Sequence, residues 1–249
     1  MRPTRLRASL AAVAMLPVLA WTLFPIYWIT TASFKTELAL YARPPQWLFT
    51  PILDNYTRVL TNIPFAQYLK NSLVFAIGTT LGSLVLGTLA GYGFARYRFR
   101  FSETVRFMVL VMRMAPRAVL VVPYYLLMQR LGLLDTYTGL VGAYVSFALP
   151  FSIWLLIGFF VDVPVEVEEA ALIDGCSPLG VLVRIVIPIA AAGLVVAAIF
   201  AFLVAWNEFL FALILSGVEA KTLPVVIAGL NTDAGPLYGE MSAAAVMVM

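Results

Sequence analysis

From Ala8 to Phe34 the chain runs for about 27 residues without a charged side chain, more than the roughly 20 that an α-helix needs to cross a 30 Å hydrocarbon core. Four further apolar stretches follow: Asn71 to Ala95, Phe107 to Met128 with Arg113 and Arg117 inside it, Thr136 to Val161, and Ile185 to about Leu215 with Asn207 and Glu208 in its later part. A sixth begins near Met241 and reaches Met249 after only about nine residues, too few to cross. Backbone polar groups in lipid must be satisfied within the segment, so spans of this kind are helices. The pattern predicts an all-α polytopic membrane protein of about six spans, the last cut short. No internal repeat and no low-complexity segment divides the chain, so residues 1–249 read as a single transmembrane domain. Arg2, Arg5 and Arg7 before the first run also suit a signal peptide, but the run is too long for its apolar region and no A-x-A-like cleavage site follows, so an uncleaved anchor is expected.

Composition narrows the function. At 62% apolar and 12% charged residues, with a mean hydropathy of +0.95, too little polar surface exists to cover a soluble globule. One cysteine, Cys176, and no histidine exclude a disulfide framework, a Cys/His metal site and histidine acid–base chemistry. The net charge of +3 comes from arginines beside apolar runs, which is how orientation signals are distributed and not how a nucleic-acid surface is built. No G-x-x-x-x-G-K-[ST] occurs, and Gly91-Tyr92-Gly93 lacks the third glycine of a dinucleotide loop, so nothing here cradles nucleotide phosphates. Neither a catalytic residue nor a metal ligand is expected.

The basic residues orient the chain. Arg2, Arg5 and Arg7, and the cluster Arg96, Arg98, Arg100 and Arg106 two spans later, place the amino end in the cytoplasm. Counting spans then puts Asp162 to Arg184 on the cytoplasmic side. Lys35 to Lys70 falls outside, where Pro44, Pro45, Pro51 and Pro64 suit an irregular, partly helical cap. Gly78 with Gly82, and Gly87 with Gly91, have the small-xxx-small spacing that lets helix backbones approach closely; the neighbour lies in this chain or in a partner.

Between the fourth and fifth spans lies a charged island, Glu168 to Pro188. Pro164 suits a first helical turn, Asp162 or Val163 its cap, and Glu166, Glu168 and Glu169 the positive end of its dipole, while Gly175 suits a left-handed stop. Ser177-Pro178 is a second start and Pro188 a kink, so two short helices form an elbow. Anionic leaflets repel carboxylates, and helices that lie on lipid are rich in Lys and Arg. Glu168, Glu169, Ala170, Ala171, Asp174 and Gly175 are therefore expected to face a soluble partner, the two alanines permitting close approach and the carboxylates pairing with basic groups.

Glu169-Ala170-Ala171, three residues, Gly175, nine residues, Ile185, one residue, Ile187-Pro188 resembles the EAA loop of bacterial ABC importer permeases, with Ile187 in place of the usual leucine before the proline. The resemblance extends to the maltose-type carbohydrate subfamily through Ser33-Phe34-Lys35, Asn71-Ser72-Leu73, Pro123 to Gly132 with Leu133-Leu134-Asp135-Thr136, Leu149-Pro150-Phe151 and Trp206-Asn207-Glu208-Phe209-Leu210. It implies a non-catalytic transmembrane subunit of an ATP-driven importer in a bacterial cytoplasmic membrane, forming half of a carbohydrate pathway. The EAA helix would couple to a separate cytoplasmic ATPase. The implied partners are two such ATPase subunits carrying ATP and Mg, a second related permease and an extracytoplasmic solute-binding protein, with no nucleic acid and no cofactor on this chain. A permease for glycerol phosphate or a polyamine is the alternative. An ion-driven secondary transporter needs a titratable relay, for which only Glu208 is a candidate.

A charge at a span's centre costs about 2.5–3.5 kcal/mol on insertion scales, so Arg113, Arg117 and Glu208 need a partner, water or an interface. Spaced one turn apart, Arg113 and Arg117 are expected on one face of one helix, lining a hydrated pathway, meeting substrate or a neighbouring permease, pairing with a carboxylate for assembly, or sitting where the third span emerges. Arg117 follows Met114-Ala115-Pro116, where the resembled family more often has an apolar or amide residue. Asn207 and Glu208 are expected in gating or helix packing. Trp154, Phe159, Phe160 and Trp206 suit packing or the lipid belt better than stacking on a sugar.

Overall fold

The computed structural model describes residues 5–232 and 235–249. Arg2 lies outside them, and so do the side chains of Arg5 and Arg7. In chain order the elements are α1 (Arg5–Ser33), α2 (Glu37–Leu40), α3 (Asp54–Asn62), α4 (Phe65–Arg96), α5 (Ser102–Met114), α6 (Arg117–Arg130), α7 (Tyr137–Val161), α8 (Val165–Ile173) and α9 (Pro178–Val181). A π-helical turn (Leu182–Val186) leads into α10 (Ile187–Ile189), α11 (Ala191–Trp206), α12 (Leu210–Leu215) and α13 (Leu223–Gly229). The strands β1 (Asn231–Thr232) and β2 (Gly235–Pro236) pair antiparallel, and α14 (Tyr238–Val248) ends the chain. Apart from that pair, the elements among the described residues are helices, as expected. The backbone groups into two compact units, Met1–Phe65 with Val226–Met249, and Ala66–Val225.

In the first unit α14 packs on α1 and α3. The stretch expected to form a partly helical cap contains α2, whose start is capped by the Thr36 hydroxyl, and α3. Lys35 is 4% exposed. Its Nζ donates to the Gln46 carbonyl at 2.8 Å and lies 5.2 Å and 4.8 Å from the ring centres of Trp28 and Phe49, so a carbonyl and two π faces compensate the buried ammonium. Asn55 donates to the carbonyls of Ser33 and Lys35, both at 2.9 Å. These bonds satisfy the end of α1, where carbonyls lack intrahelical donors.

In the second unit the glycine spacing in α4 finds its partner in α7 of the same chain. A Cβ at Gly78, Gly82, Gly87 or Gly91 would lie 3.1, 2.9, 3.1 and 3.2 Å from Val141, Val145, Ser152 and Leu156, so the absent side chains set the distance between the two helices. The Thr136 hydroxyl starts α7 by accepting from the Gly139 amide at 3.1 Å. A Cβ on Gly139 would fall 2.2 Å from the Leu133 carbonyl oxygen.

Among the described residues, three helical stretches can cross a membrane by length and composition, Val13–Ser33, Phe65–Arg96 and Tyr137–Val161, and a fourth if Pro178–Ile189 and Ala191–Trp206, bent by 83°, count as one. Two expected spans are not continuous. The third breaks at Ala115-Pro116 into α5 and α6, because proline disfavours helical geometry in the residue before it, and Ala115 is extended at φ −62°, ψ 127°. The fifth bends at Ala190, two residues after Pro188, and stops again at Asn207 before α12. The sixth starts at Tyr238, earlier than Met241, and its 11 residues run to Val248.

Candidate functional site

The elbow is held from beneath by α4. Arg96 donates through Nε to Oε1 of Glu168 at 2.7 Å, its Nη2 lies 2.6 Å from the same oxygen, and Nη2 also donates to the Val163 carbonyl at 2.7 Å. The Tyr92 hydroxyl donates to Oε2 at 2.7 Å. The Arg96 and Glu168 side chains are 10% and 6% exposed, so this is a buried, fully hydrogen-bonded charge pair. Glu168 is thus turned inward and its carboxylate is closed to a soluble partner, contrary to expectation. Ala171, one turn later on the same face, is also buried, in a cluster with Val163, Val181, Leu182 and Val186. Glu169, Ala170, Asp174 and Gly175 remain exposed. Neither Asp162 nor Val163 caps α8: Asp162 closes α7, Val163 is buried, and Pro164 occupies the cap position without a side-chain hydrogen bond. Arg96 has the sequence signature of an orientation signal, and nothing in its spacing marks it, or Tyr92, as the partner of Glu168.

Gly175 ends α8 at φ +89°, with its N–H donating to Leu172 at 3.1 Å and that of Cys176 to Ala171 at 3.0 Å, the closure a left-handed residue allows. No atom lies within 4 Å of a Cβ added there, so the constraint is backbone strain alone. Gly175→Val should destabilise the elbow by about 1–2 kcal/mol and Gly175→Asn by less, since asparagine tolerates this region; comparison of melting temperatures of the purified variants checks the order.

A second cluster gathers at the helix breaks. Arg113 ends α5 and Arg117 begins α6, so they share no helix face as expected. They nevertheless line one cavity of about 130 Å³ together with Ser146, Phe147, Phe151 and Phe200. Arg117 Nη1 donates to Oε2 of Glu208 at 2.7 Å, and Oε1 accepts from the Phe211 N–H at 3.1 Å, capping α12. Glu208 is buried and Arg117 partly exposed. Asn207 folds back onto its own helix, its side chain donating to the Leu203 carbonyl at 2.9 Å. The Arg113 guanidinium lies 4.2 Å from the ring centre of Phe151 and, among the described residues, meets no carboxylate at ion-pair distance. Phe159 packs on Gly193, Phe160 is fully buried, and Trp206 stacks on Phe202, so three of the four singled-out aromatics are packing residues. Trp154 is half exposed.

A third group was not anticipated. The Asp135 carboxylate accepts four successive N–H groups, from Gly217, Val218, Glu219 and Ala220, at 2.7 to 3.1 Å. Asn71 donates to the Glu219 and Lys221 carbonyls at 2.8 and 2.9 Å and accepts from the Tyr137 hydroxyl. The Ser72 hydroxyl accepts from the Leu223 N–H at 2.9 Å. The loop after α12 is thus latched to the start of α4 and to the α6–α7 turn. Burial raises the Asp135 pKa, but the four amides outweigh it and hold the carboxyl below its ordinary value of 3.8. A depressed folded pKa contributes stability that is present above the ordinary value and lost as pH falls through the lower folded one. The latch is therefore constant between about pH 5 and 8, and Asp135→Ala should speed proteolysis within residues 217–222 at neutral pH.

Long apolar helices, and helices broken within apolar runs, mark an integral-membrane protein. The sequence profile of the binding-protein-dependent transport system inner membrane components matches residues 83–249, and the chain belongs to that family. It is 34% identical to the trehalose/maltose transport system permease protein MalG of Thermococcus litoralis, over 99% of this chain and 90% of that protein. It is 36% identical to the sulfoquinovosyl glycerol transport system permease protein SmoH of Agrobacterium fabrum, over 82% of this chain and 73% of that protein. Among solved structures, a chain of a bacterial ABC transporter that imports the acidic polysaccharide alginate superposes with a TM-score of 0.80 at 23% identity, over 99% of this chain and 94% of that one. The protein is an ABC transporter permease.

Proposed function

We propose that this permease forms half of the translocation pathway of a carbohydrate importer and takes its drive from a separate ATPase through the α8 elbow. The observation that carries the reading is the division of α8. One face is clamped to α4 by Arg96 and Glu168, while Glu169, Ala170, Asp174 and Gly175 stay exposed. A partner pressing on the exposed face would transmit force to α4 through a buried charge pair and not through a loose loop. The alanine allows close approach, and the carboxylates complement basic groups around a cleft. The partners are two cytoplasmic ABC ATPase subunits that bind ATP and Mg, a second related permease and an extracytoplasmic solute-binding protein. This chain holds no cofactor. Carbohydrate is favoured because the similar permeases are named for transport of trehalose and maltose or of a sugar glycerol conjugate.

The test is reconstitution of both permeases and the ATPase in proteoliposomes. Binding protein loaded with sugar should stimulate ATP hydrolysis and sugar uptake, and Glu169→Lys with Asp174→Lys should abolish the stimulation. Stimulation unaffected by the double reversal would refute coupling through α8. The elbow is assigned to the cytoplasm with the amino terminus. Cys176, the single cysteine, lies partly exposed on the elbow, so a membrane-impermeant maleimide should label inside-out vesicles and leave right-side-out vesicles unlabelled.

A further inference from the structure

We infer that the cavity at the α5–α6 break is a contact site for an acidic carbohydrate, with Arg113 pairing with a sugar carboxylate. The inference rests on the carbohydrate-permease reading and names the class of sugar. From Phe107, where the third apolar run begins, to Arg113 is about 9 Å along α5, inside a hydrocarbon core about 30 Å thick and short of its middle. A cation within the core is costly, up to about 2.5–3.5 kcal/mol at the centre, and is stabilised by a partner or by water. Arg117 has a partner in Glu208; Arg113, which is exposed, has the face of Phe151 and, among the described residues, no carboxylate.

Stacking on a ring leaves the guanidinium edge, with its fork of N–H donors, available for a planar anion, and a carboxylate matches that fork in two parallel bonds. The surroundings suit a sugar. Phe147, Phe151 and Phe200 supply apolar walls, and the Ser146 hydroxyl, which donates to the Ala143 carbonyl and pairs with the Tyr124 hydroxyl, leaves the two arginines as the groups to orient a ligand, in keeping with the mostly apolar lining and few polar groups of small-molecule sites. At about 130 Å³ the cavity is too small for a disaccharide, since whole-ligand pockets run from about 300 Å³, and it fits one edge of a single ring. Two helix breaks meet here, at Ala115-Pro116 and at Asn207, whose neighbour Glu208 reaches Arg117, and Pro150 of the continuous α7 lines the same cavity. Broken helices at membrane depth are tolerated where they line a cavity, and in transporters they mark binding sites.

The experiment uses the assembled importer, both permeases with the ATPase, in nanodiscs and without its binding protein. Saturation-transfer NMR is recorded with digalacturonate, with diglucuronate, and with the dimethyl ester of each, which keeps the skeleton and removes the charge. At least one acid should bind at least tenfold more tightly than its ester. Arg113→Gln should remove that preference and Arg113→Lys restore part of it, while neither variant changes ester binding or the recovery of the second permease on size exclusion. Equal binding of acids and esters, binding of neither acid, or a preference that survives in Arg113→Gln overturns the inference. Loss of the second permease in Arg113→Gln also overturns it, by assigning the arginine to assembly. Failure of this charge preference with ATP-driven uptake intact leaves the carbohydrate-permease reading standing; absence of sugar-stimulated ATP hydrolysis in the reconstituted importer is what would sink that reading.

Discussion

Arg96→Met is expected to abolish ATPase co-purification and ATP-driven uptake while the chain still inserts and pairs with its second permease. The substitution leaves the Glu168 carboxylate, 6% exposed, with the Tyr92 hydroxyl as its remaining partner. Removing one member of a buried ion pair strands the other charge, at a cost of about 3–5 kcal/mol. It also frees the Val163 carbonyl at the entry to α8. Relief comes either by protonating Glu168 or by swinging α8 outward, and the second course displaces the exposed face that the ATPase would grip. Arg96→Lys should be intermediate, because one ammonium cannot reproduce a fork that reaches Glu168 and Val163 together. The double variant Arg96→Met with Glu168→Leu removes both charges and should recover most of the thermal stability. Melting temperatures give the stability order, and ATPase recovery on an affinity-tagged permease gives the functional one. An Arg96→Met protein with a normal melt and full ATPase recovery would show that the clamp has no part in coupling.

Glu208→Leu should lower uptake tenfold or more with ATPase recovery unchanged, the reverse of the first pattern. Glu208 performs two tasks from one buried position. It compensates Arg117 across the α6 boundary and caps the first turn of α12. Loss of such a cap costs about 1 kcal/mol, and the unpaired Arg117 adds the penalty of an uncompensated cation at membrane depth. Glu208→Gln keeps an oxygen for the Phe211 amide and loses the charge, so it should retain the α12 start and part of the uptake. Arg117→Leu combined with Glu208→Leu should restore stability without restoring uptake if the pair sets the geometry of the helix breaks. Equal uptake by wild type and Glu208→Leu would make the pair dispensable.

Some elements were legible because each depends on residues close in sequence. Thr136 starts α7, Ser177 starts α9 by accepting from the Gly180 amide at 3.1 Å, and Gly175 stops α8 at positive φ. The glycine spacing on α4 announced a close helix neighbour, though only packing identified it as α7. Pro188 was legible as a kink, but hydropathy continues across Pro116 and Asn207, so the third span read as unbroken and the second break of the fifth went unseen. The latch around Asp135 left no trace in periodicity. Its partners are backbone amides about 80 residues away, and any sequence supplies amides.

Hydropathy established an all-helical membrane chain, because continuous apolar runs of about 20 or more residues can satisfy their backbone in lipid only as helices, and the local charges and caps marked an acidic elbow before the fifth span. The sequence could not say which way each charge in that chain turns. Glu168 and Glu169 are adjacent carboxylates with the same local chemistry, yet successive helical positions lie about 100° apart, so one meets Arg96 and the other solvent. Arg113 and Arg117 have one turn's spacing, yet Pro116 assigns them to different helices and Glu208 compensates one of them. Charge at low dielectric is governed by what lies within a few ångströms, and only the tertiary structure brings those groups together.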